Sequence, residues 1–381
     1  MSLDPIVRDV VVIGSGLAGL TAAHALRGQG IEPLVLEREG EVGTSWNRRH
    51  PQLTLNTHRS VSSLPGSAYP AGTGAFPKRD AVIAHLQAFA DRHRFEIRHG
   101  VEVLSLARTD GPFAIATKAG TLHARAVIVA TGRDALPSIP PWKGIETFGG
   151  RIVHAAEFGE ARAYAGRSVL VVGGGNSGFD VLNHLSRVET GPVWLSLRRS
   201  PGLLPKRLGG FAVHRLSPLM AALPTRLVDR LVGWTQRIAF GDLARHGFPP
   251  GRHDAATRLA EDHVAIAVDD GAVAAIKRGR ISVVPPVVAF EAAGVILADG
   301  TRLEPEIVIA AFGYASALAP LLGPLGAIDE AGRPRLRGRL GETSVPGLWL
   351  VGMRPSLTSY FRQARREAEH AARSIARTMR V

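Results

Sequence analysis

The sequence predicts an α/β fold with two doubly wound parallel sheets, one unit inserted into the other. Three observations support this class. The chain has 381 residues, which exceeds what a single hydrophobic core usually supports. Apolar strands alternate with apolar helices along most of its length. Two glycine-rich turns, over residues 14–19 and 173–178, each connect such a strand to such a helix. This combination is typical of a pair of Rossmann-like domains.

The predicted elements follow from apolar runs and their periodicity. Strands are predicted over 9–13, 33–36, 101–107, 113–117, 121–129, 168–172, 193–197, 281–284, 287–291, 294–297, 307–310 and 347–351. Helices are predicted over 20–28, 80–93, 179–188 and 356–377, with Asp80 as the N-cap of the second. A proline cluster at 137–141 cannot continue a strand ladder and indicates the exit from the first domain. We therefore predict a first domain over 1–150 and 305–381, interrupted by a second domain over 151–304.

The first glycine turn has the pattern of a dinucleotide site. Gly14 permits a tight turn, Gly16 lets the backbone approach a pyrophosphate, and Gly19 allows the helix to pack closely on the strand. The N-terminus of the helix offers free N–H groups to the anion. Glu37 ends the next strand, where a carboxylate accepts hydrogen bonds from a ribose diol and repels a 2′-phosphate. The site therefore suits FAD or NAD.

The second turn, over 173–178, repeats the glycine spacing but is followed by cations. Arg198 and Arg199 come after the next strand, and Lys206 and Arg207 are nearby in sequence. Guanidinium groups can bind a 2′-phosphate with two hydrogen bonds each. This site is therefore predicted to prefer NADPH to NADH.

The segment 203–250 interrupts the second domain and mixes Pro, Gly and Arg with amphipathic stretches. Its apolar positions include Leu227, Leu231, Trp234 and Ile238. A basic segment with an apolar face and a tryptophan can lie at a membrane interface. Apolar stripes more commonly face a core, so we predict an insertion helix packed on the second domain, without stable membrane insertion.

Composition excludes several classes of function. The chain has no cysteine, which excludes disulfides, thiolate metal sites, cysteine nucleophiles and redox-active dithiols, and no metal site is predicted. The net charge is +13, but the basic residues are scattered, which favours anionic cofactors and small-molecule substrates over nucleic acid as partners. The sequence shows neither an apolar run near the roughly 18 residues of a membrane-spanning helix nor a basic leader before an apolar segment. These features predict a cytoplasmic protein.

Two nucleotide sites on one chain predict electron transfer from a nicotinamide to a flavin. Without cysteine the electrons cannot pass to a protein dithiol, so O₂, a quinone or a separate electron-transfer protein remain as acceptors. Residues 148–158, FGGRIVHAAEF, match the pattern F-x-G-x-x-x-H-x-x-x-Y/F just before the second glycine turn. By this pattern the chain resembles the class B flavin-containing monooxygenases, and most closely the plant auxin-pathway (YUCCA-type) members and their bacterial relatives. Further matches occur in order at 43–46, 53–57, 130–132, 204–207 and 347–352.

The resemblance implies which residues hold each cofactor, with FAD in the first domain and NADPH in the second. FAD would lie on Gly14, Ser15, Gly16, Ala18, Gly19, Glu37, Arg38, Thr44, Ser45, Trp46, Val103, Ala130, Thr131, Gly132 and Gly352. NADPH would lie on Gly173, Gly175, Asn176, Ser177, Gly178, Arg198 and Arg199. It also implies a catalytic Asn56 beside the reactive edge of the flavin, and it places Phe148 and His154 in the linker between the domains.

The activity implied by the resemblance is that of an NADPH-dependent flavin monooxygenase. Such an enzyme inserts one oxygen atom of O₂ into a small organic substrate through a C4a-(hydro)peroxyflavin. The substrate would be a soft nitrogen or sulfur nucleophile, or a 2-oxo acid or other carbonyl compound. The alternative is a flavoprotein reductase that passes electrons to a partner protein.

Three departures from the family pattern bear on this prediction. Phe312 stands where the family has threonine in its second alanine-threonine-glycine turn. Phe158 stands where Baeyer–Villiger enzymes have tryptophan, which disfavours ketone-to-ester chemistry. Residues 57–60 differ from those of the plant auxin enzymes, which weakens the case for their 2-oxo acid substrate.

Overall fold

The fold consists of two parallel sheets, each covered by helices and each with its own hydrophobic core. The computed structural model describes residues 7–108, 111–251, 254–330, 332–338 and 340–380. The predicted α/β class with two Rossmann-like domains is confirmed.

The first domain is built on a nine-stranded sheet. Strands Val7–Ile13 and Gly120–Val129 lie parallel at its centre. Alternate side chains of the first strand face opposite sides, with Val10 and Val12 in one core and Val11 in the other. In spatial order its strands are Leu336–Arg337, Glu342–Thr343, Leu348–Leu350, Gly120–Val129, Val7–Ile13, Leu34–Leu36 and Glu96–Arg98, with Val103–Ala107 and Phe113–Thr117 as a hairpin attached to Gly120–Val129. Helices Leu17–Arg27, Arg79–His93 and Tyr360–Met379 cover the first face, and Ala319–Leu322 lies on the second.

The second domain has a five-stranded sheet in which every neighbouring pair is parallel. In spatial order the strands are Ile281–Val284, Val193–Ser196, Val169–Val172, Ile307–Ala310 and Arg151–His154. Helices Asn176–Leu185 and Ala272–Lys277 pack on one face. A small antiparallel sheet of Val287–Glu291, Gly294–Leu297 and Arg302–Leu303 covers the other.

The boundaries of the second domain differ from the predicted range of 151–304. Strand Ile307–Ala310 pairs with Arg151–His154 and Val169–Val172, so the chain returns to the first domain only after Ala310. The motif at 148–158, expected in the linker, in fact supplies the edge strand of the second sheet. The two connections between the domains pair with each other, since Leu136–Pro137 forms an antiparallel ladder with Tyr314–Ala315.

The insertion forms a small layer of its own on the second domain. Its elements are Leu203–Pro205, Arg207–Leu208, Phe211–Ala212, Val213–Leu216, Ser217–Met220, Thr225–Phe240, Leu243–His246, Ala255–Glu261 and Ala267–Asp269. Phe240, at the end of helix Thr225–Phe240, and Leu243 just after it enter the core of the second domain. The predicted packing of an insertion helix on the second domain is therefore confirmed. In the described ranges, no helix is both long enough and apolar enough to cross a membrane.

Several predicted element ends shift by a few residues for local reasons. The two helices after the glycine turns begin inside those turns, at Leu17 and Asn176, because Gly16 and Gly175 take the extended N-cap conformation. Asp80 is not an N-cap: Lys78 holds that position without a side-chain bond. The remaining short helices are Thr44–Asn47, Arg59–Val61, Ile145–Thr147, Ala155–Glu157, Ala161–Tyr164 and Gly323–Leu325.

Candidate active site

The first glycine turn has the backbone that its sequence predicts. Gly14 has φ +103°, and a Cβ there would lie 2.8 Å from the carbonyl oxygen of Ala130. A Cβ at Gly19 would lie 1.8 Å from the carbonyl oxygen of Gly14, so only glycine lets the helix approach the strand. A Cβ at Gly16 would meet no atom within 4 Å. The turn is therefore closed on the protein side and open where a ligand would approach.

Glu37 lies at the mouth of this turn. One of its carboxylate oxygens accepts hydrogen bonds from both the backbone N–H and the hydroxyl of Ser15, each at 2.7 Å. The other accepts from the backbone N–H of Glu39 at 3.1 Å. The acid is thus fixed at the end of its strand, beside the N-terminus of helix Leu17–Arg27, which is the position a ribose-binding carboxylate needs.

The carboxyl edge of the first sheet gathers further predicted FAD residues. Ala130 is buried and donates its N–H to the carbonyl of Ile13, so the turn of Ala130, Thr131 and Gly132 lies beside Gly14. Gly352 has φ +74°, and a Cβ there would lie 2.7 Å from Cβ of Ala18. Its N–H donates to the buried carboxylate of Glu367 at 2.7 Å.

The other predicted FAD residues occupy less constrained positions. Thr44, Ser45 and Trp46 form the short helix after Gly43, where Trp46 packs against the first core. Arg38 is exposed and pairs with Glu39. Val103 starts the hairpin strand that pairs with Phe113–Thr117 and is partly buried. Their contact with FAD stays a prediction.

The second glycine turn repeats the geometry of the first. Gly173 has φ +115°, and a Cβ at Gly178 would lie 2.0 Å from its carbonyl oxygen. A Cβ at Gly175 would meet nothing within 4 Å. Asn176 and Ser177 form the first turn of the helix that follows. Because this geometry matches the first turn, the two sites can be compared residue by residue.

The register of the two sheets shows how the sites differ. Ile13 pairs with Leu36 in the first sheet, and Val172 pairs with Ser196 in the second. The residue equivalent to Glu37 is therefore Leu197, which is buried and carries no charge. Arg198 and Arg199, one and two residues further on, are exposed, and neither makes an ion pair with a described residue. The second site has cations available where the first has an acid.

Lys206 does not join these arginines. It is 7% exposed, and its ammonium donates to the Thr54 hydroxyl at 2.7 Å and pairs with Asp270 at 3.2 Å. Burial lowers its pKa, and the charge of Asp270 opposes that effect. Arg207 lies over the ring of Phe76. The prediction that these two residues add to the cations of the second site is not supported by their positions.

Segment 49–56 of the first domain contacts the second domain through several side chains. The amide nitrogen of Asn56 donates to the side-chain oxygen of Asn176, the first helical residue after the second glycine turn, at 3.0 Å. Gln52 donates to the carbonyl of Gly159 at 2.8 Å. Arg49 donates to the hydroxyl of Tyr314, in the connection that leaves the second domain, at 2.6 Å. The predicted catalytic residue therefore lies at the contact between the two domains, against the second dinucleotide turn.

His50, Asp180 and His184 form a cluster at the same boundary, with His50 buried and the other two half-buried. Nε2 of His50 lies 2.7 Å from one oxygen of Asp180, and Nε2 of His184 lies 3.7 Å from the other. Their potential ligand atoms lie within 4.8 Å of one another, which makes this a group that could hold a metal ion within the described residues. The hydrogen bond between His50 and Asp180 already accounts for the arrangement, because it joins the two domains.

His154 acts as a structural hydrogen-bonding residue. Its ring is 1% exposed, with Nε2 2.9 Å from the carbonyl oxygen of Gly313 and Nδ1 accepting from the N–H of Ala156. Because Nδ1 accepts a hydrogen bond and Nε2 faces a carbonyl oxygen, these contacts fit a neutral ring with its proton on Nε2. Burial lowers the pKa of the ring. Phe312, which replaces the usual threonine, is half exposed and packs edge-on against Trp142 at 5.1 Å. This turn is thus held by ring packing and by His154.

Sequence reasoning missed two residues at the domain contact, His50 and Asp180. It also missed that Lys206 is buried there. Asp180 and His184 are four residues apart on helix Asn176–Leu185, so their shared face could have been read from helical periodicity. His50 and Lys206 carry no such signal, because each finds its partner in the other domain.

Comparison with known proteins agrees with this geometry. Residues 116–329 match the family described as flavin-binding monooxygenase-like, and residues 11–200 match the pyridine nucleotide-disulphide oxidoreductase family. The chain is 32% identical to an indole-3-pyruvate monooxygenase, YUCCA4 of Oryza sativa subsp. japonica, with 81% of this chain and 75% of that protein covered.

Solved structures with this fold include a flavin-containing monooxygenase from Stenotrophomonas maltophilia. It is 26% identical with a TM-score of 0.74, over 97% of this chain and 98% of that one. An OTEMO complex with FAD and NADP has a TM-score of 0.70 at 15% identity, over 99% of this chain and 85% of that one, and shares the fold. The family description names a flavin as the bound group, which agrees with the predicted FAD. With a family match over more than half its length and a relative 32% identical over most of both chains, the chain belongs to the flavin-binding monooxygenase-like family and is a flavin-dependent monooxygenase.

Proposed function

We propose that this chain uses NADPH and O₂ to transfer one oxygen atom to a small organic substrate at a flavin held between its two domains. The observation that carries the proposal is the hydrogen bond of 3.0 Å between Asn56 and Asn176. It joins the first domain to the first helical residue after the second glycine turn. A nicotinamide and a flavin bound by the two turns would therefore face each other across this contact.

The first domain fits FAD. The open side of Gly16 and the free N–H groups of helix Leu17–Arg27 suit a pyrophosphate. Glu37 is already an acceptor beside that helix, where it would bind a ribose diol. When bound, the flavin supplies the chemistry that accepts two electrons from a nicotinamide and activates O₂.

The second domain fits NADPH. Gly175 is open on the ligand side as Gly16 is, and the acid position is occupied by Leu197, which does not repel a phosphate. The exposed guanidinium groups of Arg198 and Arg199 are free to bind a 2′-phosphate with two hydrogen bonds each. We infer that these arginines give the preference for NADPH over NADH.

In this proposal the residues of the chain position the cofactors and shield them from water, and they do not exchange protons. Asn56 is held by Asn176 and presents an amide at the domain contact. His154 uses both ring nitrogens in structural hydrogen bonds and therefore takes no part in proton transfer. The Lys206 contact with Thr54 adds a second link beside Asn56, which keeps the two domains closed against water.

For the substrate we propose a soft nitrogen or sulfur nucleophile, or a 2-oxo acid or other carbonyl compound. The relative YUCCA4 is an indole-3-pyruvate monooxygenase, which makes a 2-oxo acid the first compound to test. Residues 57–60 differ from the plant pattern, so a thioether and a tertiary amine belong in the same screen.

The decisive experiment follows flavin absorbance, NADPH consumption and product together. We expect FAD-loaded protein to be bleached faster by NADPH than by NADH without oxygen, and to form an oxygenated product without any partner protein once oxygen is admitted. Rapid flavin oxidation that yields only hydrogen peroxide with every compound would argue against oxygen transfer. If product formation, or electron transfer to an acceptor, then appeared only when a partner protein was added, the result would instead support a reductase.

A variant at Asn56 tests the placement of the site. Asn56→Ala is expected to retain FAD and the folded state but to release more hydrogen peroxide per NADPH, because the amide at the domain contact is lost. Gln29→Ala is the matched control, since this amide lies beyond the far end of helix Leu17–Arg27. Equal peroxide yields from the two variants would show that Asn56 is not part of the site.

A further inference from the structure

Helix Thr225–Phe240 has apolar stripes on two opposite faces. One stripe is buried: Val228 and Val232 pack with Ala255 and Ala256 in the small core of the insertion, and Phe240 enters the core of the second domain. The other consists of Leu227, Leu231, Trp234 and Ile238. At about 100° per residue these four side chains fall within about 60° of one another, on the side facing away from the domain. Only the first stripe is explained by the fold.

The outer stripe is exposed to solvent to an unusual degree. Trp234 is 65% exposed, Ile238 is 53% exposed and Leu227 is 41% exposed. The short helical segments Val213–Leu216 and Ser217–Met220 that precede it carry two more exposed leucines, Leu216 and Leu219, the latter 64% exposed. Large apolar side chains grouped in this way on a surface mark an interaction site, whereas single exposed residues do not.

The exposed charges on helix Thr225–Phe240 are all positive. Arg226, Arg230 and Arg237 lie along one flank of it by helical spacing, are exposed, and make no ion pair with any described residue. The one acid on this helix, Asp229, is buried and accepts hydrogen bonds from the N–H and hydroxyl of Thr257. The face therefore presents apolar groups and unpaired cations together.

We propose that this outer face of helix Thr225–Phe240 docks the protein on the surface of an anionic lipid bilayer. The arginines match lipid phosphates in charge, while the apolar stripe with its tryptophan suits the boundary between headgroups and acyl chains. A second copy of the chain fits less well, because symmetric pairing would bring the same arginine row against itself. The stripe spans about 16 Å along the helix axis, so the helix lies on the surface rather than across the bilayer.

The proposal predicts selective binding to anionic vesicles by the purified full-length protein. Flotation with vesicles of phosphatidylcholine and phosphatidylglycerol is expected to recover the protein at low salt, and vesicles of phosphatidylcholine alone to recover much less. High salt is expected to weaken binding, because the arginine contacts are screened. Absence of binding to the anionic vesicles at low salt would overturn the proposal.

Variants separate this face from the general positive charge of the protein. Replacing Arg226, Arg230 and Arg237 by glutamine is expected to weaken vesicle binding by about fivefold per residue at low salt. The matched control replaces Arg92, Arg278 and Arg377, which are exposed elsewhere, and changes the net charge equally. Equal losses from the two triple variants would show a non-specific charge effect and overturn the proposal.

Trp234→Ser combined with Ile238→Ser tests the apolar contribution. We expect at least about tenfold weaker vesicle binding, with unchanged circular dichroism and FAD content, because both side chains lie outside the core. Val288→Ser, another exposed apolar position, is the control. A dimer seen by light scattering that the double serine variant abolishes, without vesicle binding by the wild type, would assign the face to a second copy instead.

Discussion

Replacing Asp180 by asparagine is expected to loosen the contact between the two domains. The carboxylate lies 2.7 Å from Nε2 of His50 in the other domain, and its side chain is 19% exposed. Burial opposes ionisation, but the interactions with the His184 and His50 rings outweigh it and hold the pKa of Asp180 well below its usual range. The folded protein therefore stabilises the ionised form of Asp180, and asparagine cannot reproduce its charge.

The expected cost follows from the contacts. A hydrogen bond to a charged group contributes about 1.5–3 kcal/mol, and the 3.7 Å approach of His184 adds little because it exceeds hydrogen-bond length. Asparagine keeps the shape of the side chain and part of its hydrogen bonding. We therefore expect Asp180→Asn to lower the free energy of unfolding by about 2 kcal/mol at neutral pH.

The sign of the pH dependence follows from the lowered pKa. A carboxyl group with a depressed pKa in the folded state stabilises the protein fully above its unfolded pKa of about 4. That stabilisation is lost as the pH falls from there through the folded-state value. The difference in unfolding free energy between wild type and Asp180→Asn should therefore be largest near neutral pH and shrink below about pH 4.

Urea unfolding followed by tryptophan fluorescence measures these differences. A double-mutant cycle with His50→Gln isolates the coupling between the two side chains. Asp91→Asn, an exposed acid on helix Arg79–His93, is the control and should change stability by less than about 0.5 kcal/mol. The reasoning is refuted if Asp180→Asn is as stable as the wild type at neutral pH, or if the cycle shows no coupling with His50.

Three further outcomes test the dinucleotide sites. Replacing Arg198 and Arg199 by glutamine should raise KM for NADPH at least about tenfold and leave KM for NADH unchanged, measured by steady-state kinetics. Glu37→Gln should weaken FAD retention in gel filtration, because an amide is a poorer acceptor for the ribose. Gly16→Ala should fold but bind FAD less well, since its Cβ faces open space, whereas Gly19→Ala should unfold at lower temperature, since its Cβ would meet backbone.

Much of the fold could be predicted because local signals and tertiary structure agree. Strands 113–117, 281–284 and 307–310 have the predicted bounds, since each is a short apolar run between turn residues. The helix starts were less accurate. A glycine turn that feeds a helix has no polar N-cap to mark its beginning, so the start inside the turn, at Leu17 and Asn176, left no sequence signal.

The domain boundary shows a second limit. Strand Ile307–Ala310 was predicted as a strand but assigned to the first domain, because its apolar run does not show which sheet it joins. A fully buried parallel strand has no alternation that distinguishes one sheet from another. The sheet that this strand joins is decided by its pairing with Val169–Val172, which is a contact at long sequence separation.

The dinucleotide turns and the contact between the domains differ in how far the sequence could define them. Each dinucleotide turn is local, so its glycines and the charged residue after the next strand lie within about 25 residues and share one pattern. The contact between the domains is not local: Asn56 meets Asn176, Thr54 meets Lys206 and His50 meets Asp180. Single polar side chains of this kind have no periodicity and find partners only when two sheets are already in place. The proposed function requires a nicotinamide and a flavin to approach each other, and on that proposal this contact, rather than either turn alone, sets the geometry of the reaction.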